Sequence, residues 1–157
     1  MAAILVVDDE SGMRELAARQ LLVAGHLTHA ARTAEEALDV LALTSDIAVV
    51  VADLQMPGHG GAWLVEQIVQ RFPAVAVVLA TADAAVPGTL SLQSPVVRYL
   101  VKPISGDQLL AAVAQGIGWH EQQRRELPNP DGGADPFGPW LDRKLTRRDD
   151  DDNSSDD

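Results

Sequence analysis

Asp8, Asp9, Asp53, Thr81 and Lys102 each close a short apolar run of strand-like composition. Taken singly, each has a plain reading: Asp8 or Asp9 as a helix cap, Asp53 as a turn former before Pro57, Thr81 as a cap, Lys102 as a solvated charge. Taken together they converge, because ligands of open parallel sheets bind at the carboxyl ends of the strands. Three carboxylates at one edge repel one another and raise one another's pKa, so a fold that keeps them needs a cation or a compensating lysine. Oxygen ligands with no His or Cys in register favour Mg²⁺ or Mn²⁺ over zinc. A carboxylate beside such a metal can attack phosphorus to give an aspartyl phosphate, while metal and ammonium neutralise the phosphoryl oxygens. The Thr81 hydroxyl can donate to a third oxygen.

The elements that position these residues alternate between β-rich apolar runs and stretches of helical periodicity, the pattern of a parallel sheet buried on both faces. Strands are expected at about 3–7, 27–31, 47–52, 75–80 and 96–101, the third almost wholly apolar and therefore central. A helix opens at Ser11 or Gly12 and runs to about His26, with Leu16, Arg19/Gln20 and Val23 dividing its faces. Thr33 caps the next, with Glu36 three residues on, and Ala37, Leu38 and Leu41 supply its buried side. Trp63, Leu64, Ile68 and Val69 mark a third helix that stops before Pro73. The segment 81–95 contains Pro87, Gly88 and Pro95, so the fourth helix is expected to be irregular, short or distorted. A last helix starts at Ser105 and reaches about Glu126.

The chain has 157 residues, 46% apolar and 22% charged, which suits one globular domain with a tail. It contains no cysteine, which excludes disulfides, thiolate zinc sites, Fe–S clusters and a Cys nucleophile. The first residues lack the basic start and long apolar core of a secretory signal, and no apolar run reaches the roughly 20 residues of a membrane span. A cytoplasmic protein with no membrane contact is expected. Residues 1–127 carry net charge −6 and residues 128–157 net −5. Direct nucleic acid binding is not expected, because both parts are acidic and the first 127 residues hold no Lys/Arg cluster with interleaved aromatics. Past Leu127 the Pro-, Gly- and Asp-rich sequence and acidic end read as a mostly disordered, solvating tail, making 1–127 the folded domain.

At these residues the chain resembles the receiver domain of two-component response regulators, similar to the single-domain chemotaxis type. The pieces that carry the resemblance are Val6-Val7-Asp8-Asp9-Glu10, Asp53-Leu54-Gln55-Met56-Pro57-Gly58, Leu79-Ala80-Thr81-Ala82 and Tyr99-Leu100-Val101-Lys102-Pro103, in family order over about residues 1–125. The resemblance implies a flavodoxin-like, doubly wound, five-stranded parallel sheet of order 2-1-3-4-5. It implies Asp53 as phosphoacceptor, Asp9 as a direct Mg²⁺ ligand, Asp8 acting largely through water, and the Gln55 backbone carbonyl as another ligand. Thr81 and Lys102 would contact the phosphoryl group, Tyr99 would follow Thr81 as the switch aromatic, and Lys102-Pro103 would be the pair that commonly carries a cis bond. A sensor histidine kinase or phosphotransferase would be the donor. Phosphorylation would shift the population of the 81–104 face and so control a partner, either a downstream protein target or an output domain absent from the chain.

The chain departs from the family at Val86-Pro87-Gly88 and Ser94-Pro95, where a regular fourth helix and a Gly-Ala pair are usual, so an unusual switch surface is expected. Two other classes compete. A haloacid-dehalogenase-like Mg²⁺-dependent phosphatase or phosphotransferase needs a second Asp two residues after its nucleophile, where this chain has Gln55. A phosphorylation-independent binding module normally lacks one of the acidic residues or the lysine, all present here. His26, His29, His59 and His120 share no ligand spacing, Gly58–Gly61 lacks the Lys-Ser/Thr of a phosphate loop, and Trp63 and Trp119 read as packing residues.

Overall fold

The computed structural model describes residues 2–84 and 95–126. In chain order these form β1 (Ala3–Val7), α1 (Ser11–Val23), β2 (Leu27–Ala31), α2 (Ala34–Leu43), β3 (Ile47–Asp53), α3 (Gly61–Arg71), β4 (Ala76–Thr81), β5 (Val96–Val101) and a last helix, here α4 (Gly106–Glu126). Met1–Glu121 makes one compact unit, and Gln122 begins a second of which only the end of α4 is described. The irregular helix expected within 81–95 falls largely on residues outside the described set, as does the 128–157 tail.

All strand pairs are parallel and the sheet order is β2-β1-β3-β4-β5. The expected doubly wound, flavodoxin-like fold is therefore the observed one. β3 sits in the middle with all seven residues buried, the apolar run Ile47–Ala52 as its composition requires and Asp53 at its end. β2 is an edge strand, and of its residues only Ala31 is fully buried.

Side chains alternate along each strand and so build two separate cores. Leu5, Val7, Val50, Ala52, Val77 and Leu79 face α2 and α3. Ile4, Val6, Val49, Val51, Val78 and Leu100 face α1 and α4. α4 approaches the sheet closely at Gly116, where a Cβ would stand 2.9 Å from Val49 Cγ2. The α2 cap is as expected, with the Glu36 amide donating to Thr33 Oγ1 at 3.1 Å.

α1 differs from its reading in two respects. Its stripe against the sheet is Leu21, buried, and Ala17, partly buried, whereas Leu16 is 47% and Val23 85% exposed. Positions four apart share a helix face, and Leu16 and Val23 each lie to one side of the line that meets the sheet. The helix also ends before His26. Gly25 adopts φ +96°, its amide donates to Leu22 O at 3.0 Å and the His26 amide to Leu21 O at 3.0 Å. That paired closure is a Schellman motif, and it needs a left-handed residue that glycine supplies without strain.

Candidate phosphoacceptor site

The strand alternation that builds the cores also aims the site. Asp8 continues the parity of Ile4 and Val6, Asp53 that of Val49 and Val51, and Lys102 that of Leu100, so all three fall on the α1/α4 side of the sheet. The pairing extends just far enough to hold them: the Asp8 amide donates to Ala31 O at 3.2 Å and the Lys102 amide to Thr81 O at 2.8 Å. Lys102-Pro103 is cis, as the resemblance implied.

Three side chains at the strand ends make the same local bond. Asp8 Oδ1 accepts from the Glu10 amide at 2.9 Å, Asp53 Oδ1 from the Gln55 amide at 3.1 Å, and Thr81 Oγ1 from the Asp83 amide at 3.1 Å. Each is a side chain holding the backbone two residues on, a common turn device. Asp8 and Asp9 therefore do not cap α1, whose N-cap position is Glu10, with no side-chain cap bond.

For both aspartates the device occupies one carboxylate oxygen and leaves the other for Lys102. Nζ donates to Asp53 Oδ2 at 2.9 Å and to Asp8 Oδ2 at 3.1 Å. All three side chains are largely buried, Lys102 at 16% exposure and each aspartate at 11%. Burial by itself pulls the ammonium pKa down, but hydrogen bonds and attraction to Asp53 and Asp8 outweigh it and hold Lys102 above the ordinary 10.5.

Asp8, Asp9 and Asp53 each bring a carboxylate oxygen within 4.8 Å of the others, close enough to share one ion. An all-oxygen donor set fits a hard divalent cation such as Mg²⁺. A crevice of about 40 Å³ opens from Asp8, Asp53 and Lys102 along Met13, Leu16 and Gln20 of α1.

Thr81 is buried, 1% exposed, and lies on the α2/α3 side of the sheet with Tyr99. The β4–β5 register sets Leu79 opposite Tyr99 and Thr81 opposite Val101, so Tyr99 and Thr81 share one face, one step apart on neighbouring strands. Gln55 is exposed immediately beyond Asp53. The structure thus gathers Asp8, Asp9, Asp53 and Lys102 into one cluster, with Thr81 at the end of β4 and Tyr99 within β5 on the opposite face of the sheet.

The Gly58–Gly61 segment is more tightly engaged than an open loop. Gly58 has φ +77°, the Gly61 amide donates to Leu54 O at 3.0 Å, and a Cβ on Gly60 would stand 2.6 Å from the same oxygen. His59 in this loop stacks on Trp63 with ring centroids 3.9 Å apart, and its Nδ1 donates to the Glu35 carboxylate. That bond holds the Glu35 carboxyl below its ordinary 4.5. His120 donates from Nδ1 to Ala74 O at 2.7 Å. Trp63 and Trp119 are partly buried against the two cores, in the packing role expected of them.

Sequence reasoning passed over Arg14, whose Nη1 donates to the Asp8 carbonyl at 2.8 Å. The signal available was its placement: an arginine one turn into the helix that follows an acidic strand end folds back over that end.

A doubly wound sheet with clustered carboxylates and a lysine at its carboxyl edge defines a phosphoacceptor class of α/β domain, and comparison with known proteins agrees. The response regulator receiver domain model matches residues 4–114. The chain is 37% identical over 115 residues, 73% of its length, to the response regulator protein FleR of Pseudomonas aeruginosa, of which the match covers 24%. It is 33% identical over 136 residues, 85% of its length, to the DNA-binding transcriptional regulator NtrC of Klebsiella pneumoniae, of which the match covers 29%. The chain thus spans less than a third of these relatives.

Among solved structures, a Thermotoga maritima response regulator, TrrA, in complex with Mg²⁺-BeF superposes with TM-score 0.66 at 31% identity, covering 74% of this chain and 99% of that one. A receiver domain protein from Clostridium thermocellum superposes with TM-score 0.72 at 26% identity, covering 78% and 99%. The chain belongs to the response regulator receiver domain family, whose members are phosphoacceptors rather than classical enzymes. Among the described residues no helix is long and apolar enough to cross a membrane.

Proposed function

We propose that Asp53 accepts a phosphoryl group, with Mg²⁺ bound at the acidic edge, and that the change at Asp53 controls a partner through the 81–104 face. The observation that carries this reading is the Lys102 ammonium shared between Asp53 and Asp8, 2.9 and 3.1 Å away, beside three carboxylates within reach of one cation. The ion would be held by Asp9 and Asp53 directly, by the Gln55 carbonyl and by Asp8 largely through water. When bound, it supplies positive charge for the phosphoryl oxygens and screens the carboxylates from one another.

The donor is a phosphohistidine on a histidine kinase or phosphotransferase. An Asp53 carboxylate oxygen attacks phosphorus, the P–O bond forms as the P–N bond breaks, and the electron pair leaves with the imidazole. Lys102 stays beside the oxygens of the transferred group. The Thr81 hydroxyl then has a new acceptor within its strand-end neighbourhood, and Tyr99, on the same face, follows it. The added charge of about −1.5 to −2 makes the two states of this face unequal in energy.

The output is a downstream protein or an output domain outside this chain, as in the longer relatives. Gln55 stands where a haloacid-dehalogenase-like enzyme needs its acid/base Asp, which argues against turnover.

Intact mass after incubation with Mg²⁺ and a small-molecule phosphodonor tests the reading. One phosphoryl addition is expected, absent without Mg²⁺ and absent in Asp53→Asn. No addition, with kinases also tried as donors, would leave a phosphorylation-independent binding module.

A further inference from the structure

We infer that Arg14 is a positioning residue for the metal-binding edge, setting the angle between the Asp8 and Asp9 carboxylates through the peptide that joins them. This rests on the phosphoacceptor reading above and adds to it a residue outside the acidic cluster.

Every other hydrogen-bonding group of Asp8 already has its partner. Its amide donates to Ala31 O, Oδ1 accepts from the Glu10 amide and Oδ2 from Lys102 Nζ. The remaining group is the carbonyl, which takes the Arg14 bond at 2.8 Å. That oxygen lies in the planar Asp8–Asp9 peptide, so a donor fixed on it fixes the plane. Asp9 is exposed, and its carboxylate is aimed chiefly by the backbone that carries it. Arg14 can hold the plane because the Arg14 amide, donating to Glu10 O at 3.0 Å, anchors it in the first turn of α1.

A second role for a cation here predicts the opposite effect. If the guanidinium acted only through its charge, it would repel Mg²⁺ and its removal would tighten binding. Its short bond goes to a backbone carbonyl rather than to a carboxylate, which favours the orienting role. Mg²⁺ requires near-ideal octahedral geometry, so a rotated Asp9 costs affinity.

The test is Mg²⁺ titration of the whole chain by calorimetry and by the Mg²⁺-dependent rise in melting temperature. Arg14→Ala is expected to weaken Mg²⁺ roughly tenfold, the scale seen when a group supporting a metal ligand is lost. Arg14→Gln, which keeps an N–H donor without the charge, is expected to fall between and also serves if Arg14→Ala folds poorly. At saturating Mg²⁺ the rate of Asp53 phosphorylation is expected to return to that of the parent chain. Unchanged or tighter Mg²⁺ binding in both variants overturns the orienting role while leaving the phosphoacceptor reading intact. A parent chain that shows no Mg²⁺ binding overturns both.

Discussion

Gly61→Ala probes how tightly the loop after Asp53 is built. A Cβ on Gly61 would lie 2.8 Å from Asp53 O, 2.9 Å from Leu79 Cδ2 and 3.0 Å from Leu54 Cα. Carbon contacts settle at about 3.5–4.0 Å, so each neighbour must yield by roughly half an ångström or more. Two of the three are backbone and cannot rotate away. Overpacking of this kind costs typically 1–3 kcal/mol. Against it stands the preference of a helix for Ala over Gly, at most about 1 kcal/mol and less at the first position of α3.

The clash wins, and its displacement falls on the strand end that carries Asp53. Gly61→Ala is expected to lower stability by about 1–2 kcal/mol, a fall of several degrees in melting temperature for a domain of this size, and to slow phosphorylation of Asp53 more than that loss alone explains. Two other glycines calibrate the result in the same denaturation assay. Gly118→Ala, in α4 with nothing within 4 Å of the new atom, is expected to gain roughly 0.5–1 kcal/mol. Gly116→Ala has side-chain atoms of Val49 and Ala76, rather than backbone, as its nearest contacts and should fall between the two. Equal stability for Gly61→Ala and Gly118→Ala would refute the reasoning.

Two further outcomes follow from side-chain hydrogen bonds. Thr33→Ala removes the acceptor for the Glu36 amide and is expected to cost about 1 kcal/mol in urea unfolding, with Thr33→Ser close to the parent. The raised pKa of Lys102 means that its stabilisation is complete below the ordinary lysine value of 10.5 and is lost as pH rises through the higher folded value. The parent chain should therefore lose stability above about pH 10.5 relative to Lys102→Met, and parallel alkaline melting curves for the two would contradict this.

Much of the site was legible because strand ends are legible. Unbroken apolar runs such as Ile47–Ala52 terminate at charged or hydroxyl residues, and in a parallel sheet those termini share an edge whatever the details of the helices. The helix cap at Thr33 and the stop before Pro73 were equally local, written in residue types a few positions apart. The face of α1 was not, because which stripe meets the sheet is a property of how the helix lies on Val6, Val51 and their neighbours. Leu16 and Val23 are apolar but exposed, and Ala17 and Leu21 take the contact.

The sequence by itself determined the chemistry available at the edge: three carboxylates, a hydroxyl and one lysine, on strands that had to be parallel. Only the tertiary structure decided how they are shared out. One oxygen each of Asp8 and Asp53 is committed to its own turn and the other to Lys102, which reaches them from residues 94 and 49 positions away in the chain. Arg14 on the Asp8 carbonyl and Gly61 against the Asp53 carbonyl were decided there too. These contacts depend on differences of a few tenths of an ångström in the spacing between elements. Periodicity carries the identity of a face, but the depth at which two faces meet is set by all the side chains between them.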